Sequence, residues 1–338
     1  MASPPPQTSP NFSPVLSIRQ LALTHCREKI FVTPLFWTNR QLELLRCSFS
    51  DAAPAAGPPT STSSNGTGDG TAPQHNNTRT QENWRMADRA ISILGLLADS
   101  NDPFIDRKDV RFYFNGRSRA ILKCVLLLPR GDSDRPVPGA APVVAFADHA
   151  RLMALRSDVL SPNMLERRAR NIAISLFKLR LKSITPKDPH HDPYIVALLI
   201  AVAQHQYIAA LHQADTGQYE IGPLTFFPQV LFSSPDRDHV HHYTAEIPSS
   251  TLDQLNRPAV PPVEQISIPV QVTAIPYEPE GTLRARLFAA ILPPRSQKRE
   301  KQRHTQAKVP STKQEAVEED GTGWRPMKEA AVAACPSS

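Results

Sequence analysis

The sequence predicts a single α+β domain in which antiparallel hairpins pack against one buried helix. Three observations lead there. Residues 193–203 are apolar at nearly every helical azimuth, the pattern of a helix enclosed on most of its circumference rather than along one stripe. Residues 110–128 and 224–247 each read as two strands around a turn. In the first, Asn115-Gly116 accepts the positive φ angles of a type I′ turn; in the second, Ser234-Pro235-Asp236-Arg237-Asp238 is a run of turn formers. Hairpins and helices follow one another without the strict alternation that builds an α/β sheet.

Length and composition set the domain boundaries. Of 338 residues, 34 are proline, well above the usual share of about 5%. A large part of the chain is not core-forming, so one domain of roughly 200 ordered residues is expected rather than two domains. It spans 15–292 and is interrupted at 51–80. That insertion is almost wholly Ala, Pro, Gly, Ser, Thr, Asn and Gln, which bury too little apolar area to offset about 1–2 kcal/mol of backbone entropy per residue. The Pro- and Ser-rich segment 1–14 and the charged segment 293–338 are expected to be tails without a fold of their own. Gly66-Thr67-Gly68-Asp69-Gly70 lacks the preceding strand and following helix that a phosphate-binding loop needs.

Order is expected in a defined sequence of elements. The stretch 15–22 is apolar but too brief to assign, and 31–37 favours an extended segment by its β-branched and aromatic content. Thr38-Asn39-Arg40-Gln41 has the form of a capping box and starts a helix reaching about Arg46. A helix over 83–98 follows from Ala87, Ile91, Leu94 and Ala98 at helical spacing, and Asn101-Asp102-Pro103 ends it. After the Asn-Gly hairpin, 143–146 reads as a short strand. Ser161-Pro162 opens a second helix running to about Ser183. One of its seams carries Leu165, Ala169, Ile172, Leu176 and Leu179 and another Ile174, Phe177 and Leu181, so it is expected to be held on two sides; Arg167, Arg168, Lys178 and Lys182 fill the remaining strip.

The central helix starts sharply. Asp192 is placed to cap it, and Pro193 occupies a first-turn position where a missing N–H costs nothing. Gln204, His205 and Gln206 interrupt the apolar run before the roughly 20 residues a bilayer span requires, so a core helix is expected and no membrane partner. It continues towards Gly217. Pro228 marks the next strand as an edge or bulged strand. A short helix over 249–255, a strand over 266–274 and a helix over 281–292 complete the domain before Pro293-Pro294.

Three segments carry a resemblance. Asp192 to Ala201 (DPYIVALLIA), the strand His242-Tyr243-Thr244-Ala245-Glu246-Ile247 and Leu283-Arg284-Ala285-Arg286-Leu287 resemble a group of uncharacterised proteins of filamentous fungi. The likeness covers roughly the last third of the folded chain and implies no activity.

Candidate chemistry is sparse. Seven of the eleven histidines lie between His190 and His242. His239 and His241 share one face of a strand, and with Glu246 their spacing resembles the first metal motif of cupins. The chain departs from that motif at Ser233, where a glycine belongs, and has no second motif. Strand alternation also turns Glu246 away from the two histidines. His205 and His212, seven apart on the core helix, complete a candidate metal set, for which zinc is the expected ion. No G-x-S-x-G elbow is present, His25 beside Cys26 is mere adjacency, and Glu246-Ile247-Pro248 does not supply the Glu-x-Lys strand of a metal-dependent nuclease. Cys26, Cys47, Cys124 and Cys335 are too scattered for a zinc knuckle and are expected to be free thiols.

A net charge of +6 is moderate, so its location matters more than its size. Arg295, Lys298, Arg299, Lys301 and Arg303 concentrate it in the C-terminal tail, the composition of an import signal or a phosphate-binding arm. The functional expectation is therefore a non-enzymatic interaction module, intracellular, in nucleus or cytoplasm. It has an unknown protein partner, no cofactor and nucleic-acid contact through the tail. The alternative is a metal-dependent enzyme centred on His239 and His241.

Overall fold

The computed structural model describes residues 16–28, 30–55, 86–99, 102–131, 135–137, 139–161, 170–215, 224–235, 238–262 and 265–292. They belong to one compact unit ending at Pro293. The basic-tail residues Arg295, Lys298, Arg299, Lys301 and Arg303 lie outside the described residues, as do Leu165, Arg167, Arg168 and Ala169.

The fold is a mixed α+β domain built on one eight-stranded sheet. In chain order the strands are β1 (Cys47–Phe49), β2 (Ala53–Pro54), β3 (Phe104–Phe114), β4 (Arg117–Pro129), β5 (Val144–Asp148), β7 (Gln229–Ser233), β8 (His239–Ala245) and β10 (Ile268–Pro276). Their spatial order is β1-β10-β8-β7-β5-β4-β3, with β2 added against β10. The remaining strands, β6 (Thr225–Phe226) and β9 (Ile247–Pro248), form a separate small ladder. The helices are α1 (Ile18–Thr24), α2 (Asn39–Leu44), α3 (Met86–Leu97), α4 (His149–Leu160), α5 (Arg170–Ile184), α6 (Pro193–Asp215), α7 (Ser249–Asn256) and α8 (Glu280–Ile291).

The expected hairpins are present, but the sheet is not antiparallel throughout. The β3–β4, β4–β5, β7–β8 and β8–β10 pairs are antiparallel, whereas β5–β7, β1–β10 and β2–β10 are parallel. The parallel β5–β7 pair arises because α4, α5 and α6 intervene, a crossover long enough to return the chain in the same direction. One proline, Pro228, behaves differently from expectation. Pro228 falls between β6 and β7, so β7 is an interior strand flanked by β5 and β8 rather than an edge. Pro269 faces β1, before pairing with β8 begins at Val270. Order also reaches further into the expected insertion than composition indicates: Ala53 and Pro54 pair with Thr273 and Ala274. The stretch 31–37 is a single 3-10 turn at Pro34–Phe36 rather than a strand.

The sheet divides the core into two apolar layers. On one face α6 lies with α2 and α7, and Ile195 through Ala203 are fully buried there. On the other, Leu283, Leu287 and Ile291 of α8 meet Ile93 and Leu97 of α3 over Leu127, Val144, Leu231 and Val240. By length and composition the segment Pro189–Gln213 is apolar enough to cross a membrane. Enclosure between strands and helices is what uses that apolar surface here.

The polar residues of α6 repair the irregular β3–β4 ladder. Register shifts occur between Lys108 and Val110 and between Phe112 and Tyr113, and Asp109 has a φ of 67°. The first bulge leaves Lys123 without a backbone partner across the strand; its N–H donates to the Tyr194 hydroxyl at 2.6 Å, and the hydroxyl donates to its carbonyl at 3.4 Å. At the second, the Gln204 carboxamide stands in for a strand, accepting from Tyr113 N–H at 2.9 Å and donating to its carbonyl at 2.8 Å. A buried backbone group left unpaired costs about 1–3 kcal/mol, so these two side chains are what make the bulges tolerable.

The cap of α6 does more than the sequence indicates. Asp192 Oδ1 accepts from Tyr194 N–H at 2.9 Å, as a capping residue does, and both carboxylate oxygens receive the Arg156 guanidinium at 2.7 and 2.8 Å. Both side chains are fully buried. The remaining Arg156 Nε–H donates to the Leu35 carbonyl at 3.2 Å. Helix α4, which carries Arg156 and has no clear periodicity, was not expected from the sequence. Replacing Arg156 by Leu leaves the Asp192 carboxylate buried without its cation, so urea denaturation should show a loss of about 3–5 kcal/mol. Tyr194→Phe, which removes only the hydroxyl serving the first bulge, should cost about 1–3 kcal/mol in the same measurement.

Candidate functional site

The sequence places its histidines in two groups, and the fold separates them. On β8 alternation directs His239, His241 and Tyr243 towards α6 and sends Val240, His242 and Thr244 to the α8 side, as the core assignments of Tyr243 and Val240 show. The His241 ring lies 6.2 Å from that of His239 and 4.2 Å from that of His190. His190 sits in the 3-10 turn before α6, and its carbonyl accepts from the Tyr243 hydroxyl at 2.9 Å. The companions the sequence proposed are elsewhere. His205 packs against Tyr113 of β3 with rings 6.0 Å apart; β3 is four strand spacings from β8, on the order of 19 Å. His212 is exposed near the end of α6. Glu246 is exposed just beyond β8. Among the described residues no three His, Cys, Asp or Glu side chains are arranged to hold a metal ion.

Burial, rather than a neighbouring charge, governs the titration of His149, His205 and His242. His149, edge-on to Phe232 at 6.2 Å, and His205 are both held below the ordinary range chiefly by desolvation. His242 is pushed down to about 4 for the same reason. Its Nε2 pairs with Gln229 Oε1 at 2.8 Å, and Gln229 in turn donates to the Ile291 carbonyl at 3.1 Å, one of the acceptors left open at the end of α8. The neutral ring thus helps tie β7 and β8 to α8. Two of the thiols are equally inert: burial raises Cys47 and Cys124 to about 12, far from the thiolate a nucleophile needs at neutral pH.

The sign of the pH effect follows. His242 stays neutral in the fold down to about pH 4, while the unfolded chain takes up a proton near 6.5. Its contribution is intact above 6.5 and is lost as pH falls towards 4. By pH 5 it amounts to about 2 kcal/mol. Urea midpoints at pH 8 and pH 5 should therefore differ, and His242→Gln should shrink the difference by roughly that amount.

The surface feature that stands out is α5. Ala173, Ile174, Phe177, Leu181 and Ile184 are half-buried on its inner side, where it packs on α4. The first of the two expected seams is not held: Ile172, Leu176 and Leu179 are 68%, 48% and 64% exposed. That spacing puts the three on one side of the helix, about 140° from the packed side. The expectation of two-sided packing fails because no described element covers the outer seam. α5 contains no carboxylate, and Lys178, Arg180 and Lys182 are all exposed. Lys178, Lys182 and Lys187 also line an open cleft of about 750 Å³ between the end of α5 and the start of α2, walled by Trp37, Pro186 and Pro193. Among the described residues none of these three lysines forms an ion pair.

The chain matches no protein-family model and no curated protein. What can be said of its function rests on the geometry above.

Proposed function

We propose that the chain is a non-enzymatic interaction module that docks an acidic amphipathic helix of a partner protein onto α5. The supporting observation is the exposed seam Ile172-Leu176-Leu179 beside lysines that form no ion pair among the described residues. An apolar stripe at i, i+4 and i+7 is the form in which helices receive helices. A cationic border without a carboxylate selects a negatively charged partner and disfavours a second copy of α5, which would set lysine against lysine.

The cleft argues for a peptide over the other anionic surfaces. A bilayer is flat and reaches only the outer seam, whereas a side chain on a helix can enter a concavity walled by Trp37 and Pro193. Nucleic acid would set phosphates against leucine and isoleucine, and α5 offers no aromatic ring on its exposed side for base stacking. The metal-dependent alternative has weaker support: His190 packs against His241, but among the described residues no three His, Cys, Asp or Glu side chains are arranged to hold a metal ion. The tail at 293–338 remains, from its sequence, a second cationic element suited to a nucleus-directed protein.

The test uses a labelled peptide of alternating leucine and glutamate at helical spacing, followed by anisotropy. The double variant Leu176→Glu, Leu179→Glu should bind at least tenfold more weakly with an unchanged melting temperature, because both residues are exposed. Raising salt should weaken wild-type binding by screening the lysines. Equal binding by variant and wild type, or binding to phosphatidylserine vesicles with none to the peptide, would overturn the proposal.

A further inference from the structure

A second cavity lies on the opposite side of Trp37, beneath the N-terminal helix. It measures about 570 Å³, within the range of small-molecule sites, roughly 300–1,000 Å³. Its floor is part of the main core: Trp37, Leu45, Phe112 and Leu255 are buried, with Trp37 edge-on to Phe112 at 5.6 Å. Its cover is not. Helix α1 has no buried residue of its own, and it is held in place by a capping box at Ser17 and Gln20 and by Arg19 N–H donating to the Pro258 carbonyl at 2.8 Å. Ile18 and Leu21 therefore roof a space instead of filling it.

The charge of the lining is one-sided. Arg19 and Arg119 both line the cavity, no Asp or Glu does, and neither arginine forms an ion pair among the described residues. Arg119 makes one long contact, Nε to the Phe114 carbonyl at 3.4 Å. Both arginines are exposed, which puts them at the opening rather than in the interior. An apolar chamber with guanidinium groups at its mouth is suited to a ligand with an apolar body and a single anionic end, since a guanidinium takes a carboxylate in a two-pronged hydrogen bond.

We infer that this cavity is a binding site for a long-chain carboxylate, with the chain under α1 and the carboxylate at Arg19 and Arg119. The site is separate from the α5 surface and shares none of its charged residues. Apolar segments of other proteins are disfavoured, because the roof and floor enclose the ligand from two sides and leave an opening flanked by charge.

The probes are oleate, 8-anilinonaphthalene-1-sulfonate and the uncharged N-phenyl-1-naphthylamine, measured on the full chain by fluorescence. The sulfonate should bind saturably at one site and be displaced by oleate. Arg19→Gln with Arg119→Gln should weaken the sulfonate and oleate at least tenfold and the neutral naphthylamine less than twofold, with an unchanged near-ultraviolet circular dichroism spectrum. Leu21→Trp, which fills the chamber, should abolish all three, whereas Leu176→Glu with Leu179→Glu should change none. Absence of saturable binding, no displacement by oleate, or equal losses for charged and neutral probes in the arginine variant would overturn the assignment.

Discussion

The buried pair of Arg156 and Asp192 is the constraint on which the architecture depends. It joins three segments distant in sequence: α4, the first turn of α6 and the turn at Pro34–Phe36. A charge pair taken out of water is tolerable only when its hydrogen bonds are saturated. Here the carboxylate receives both guanidinium prongs and the Tyr194 N–H, while the third guanidinium donor goes to Leu35. Keeping these hydrogen bonds in turn requires one position for α6 along its axis. A helix with apolar side chains on every azimuth has little to fix its rotation or translation by apolar contact alone, and the ion pair supplies that registration.

The first turn and the middle of α6 are also fixed against the sheet in a related way. Tyr194 and Gln204 each engage backbone groups released by irregularities of the β3–β4 ladder. Bulges increase local twist and bend a strand, and the long β3–β4 hairpin bends where α6 presents a polar group to receive it. Sheet and helix are thus matched at two points by hydrogen bonds and elsewhere by apolar packing. The paired and buried polar groups of this domain are concentrated where they locate elements, away from the surfaces proposed to bind ligands.

Those surfaces lie on the same side of the sheet as α6 but use different chemistry. The outer seam of α5 is convex and bordered by lysines, which suits a charged helix; the chamber under α1 is concave and guarded by arginines, which suits a small anion with an apolar body. Trp37 lines both the chamber and the lysine cleft. The buried histidines of β8, by contrast, belong to the core: His242 anchors Gln229, and the His241 ring lies tilted against that of His190 between sheet and helix.

Local physics made much of this fold legible. Asn115 and Gly116 have the positive φ values, 54° and 66°, that the turn required, and the Thr38–Gln41 capping box, the start of α6 at Pro193 and the helices near 249 and 280 follow from residues adjacent in sequence. The core was legible wherever periodicity was unambiguous, as in α6. The candidate metal set was not assembled by that route, because spacing along one helix states which residues share a face but not which strand that face meets. Only tertiary structure decided that β5 and β7 run parallel, that His205 meets β3 and His241 meets His190, and that the seam of α5 carrying Ile172, Leu176 and Leu179 is left uncovered. It also decided that Asp192 caps and pairs at once. The reason is common to all of these: an amphipathic pattern encodes how much surface an element must bury, whereas the identity of the surface that buries it depends on contacts between residues far apart in the chain, such as Leu35, Arg156 and Asp192.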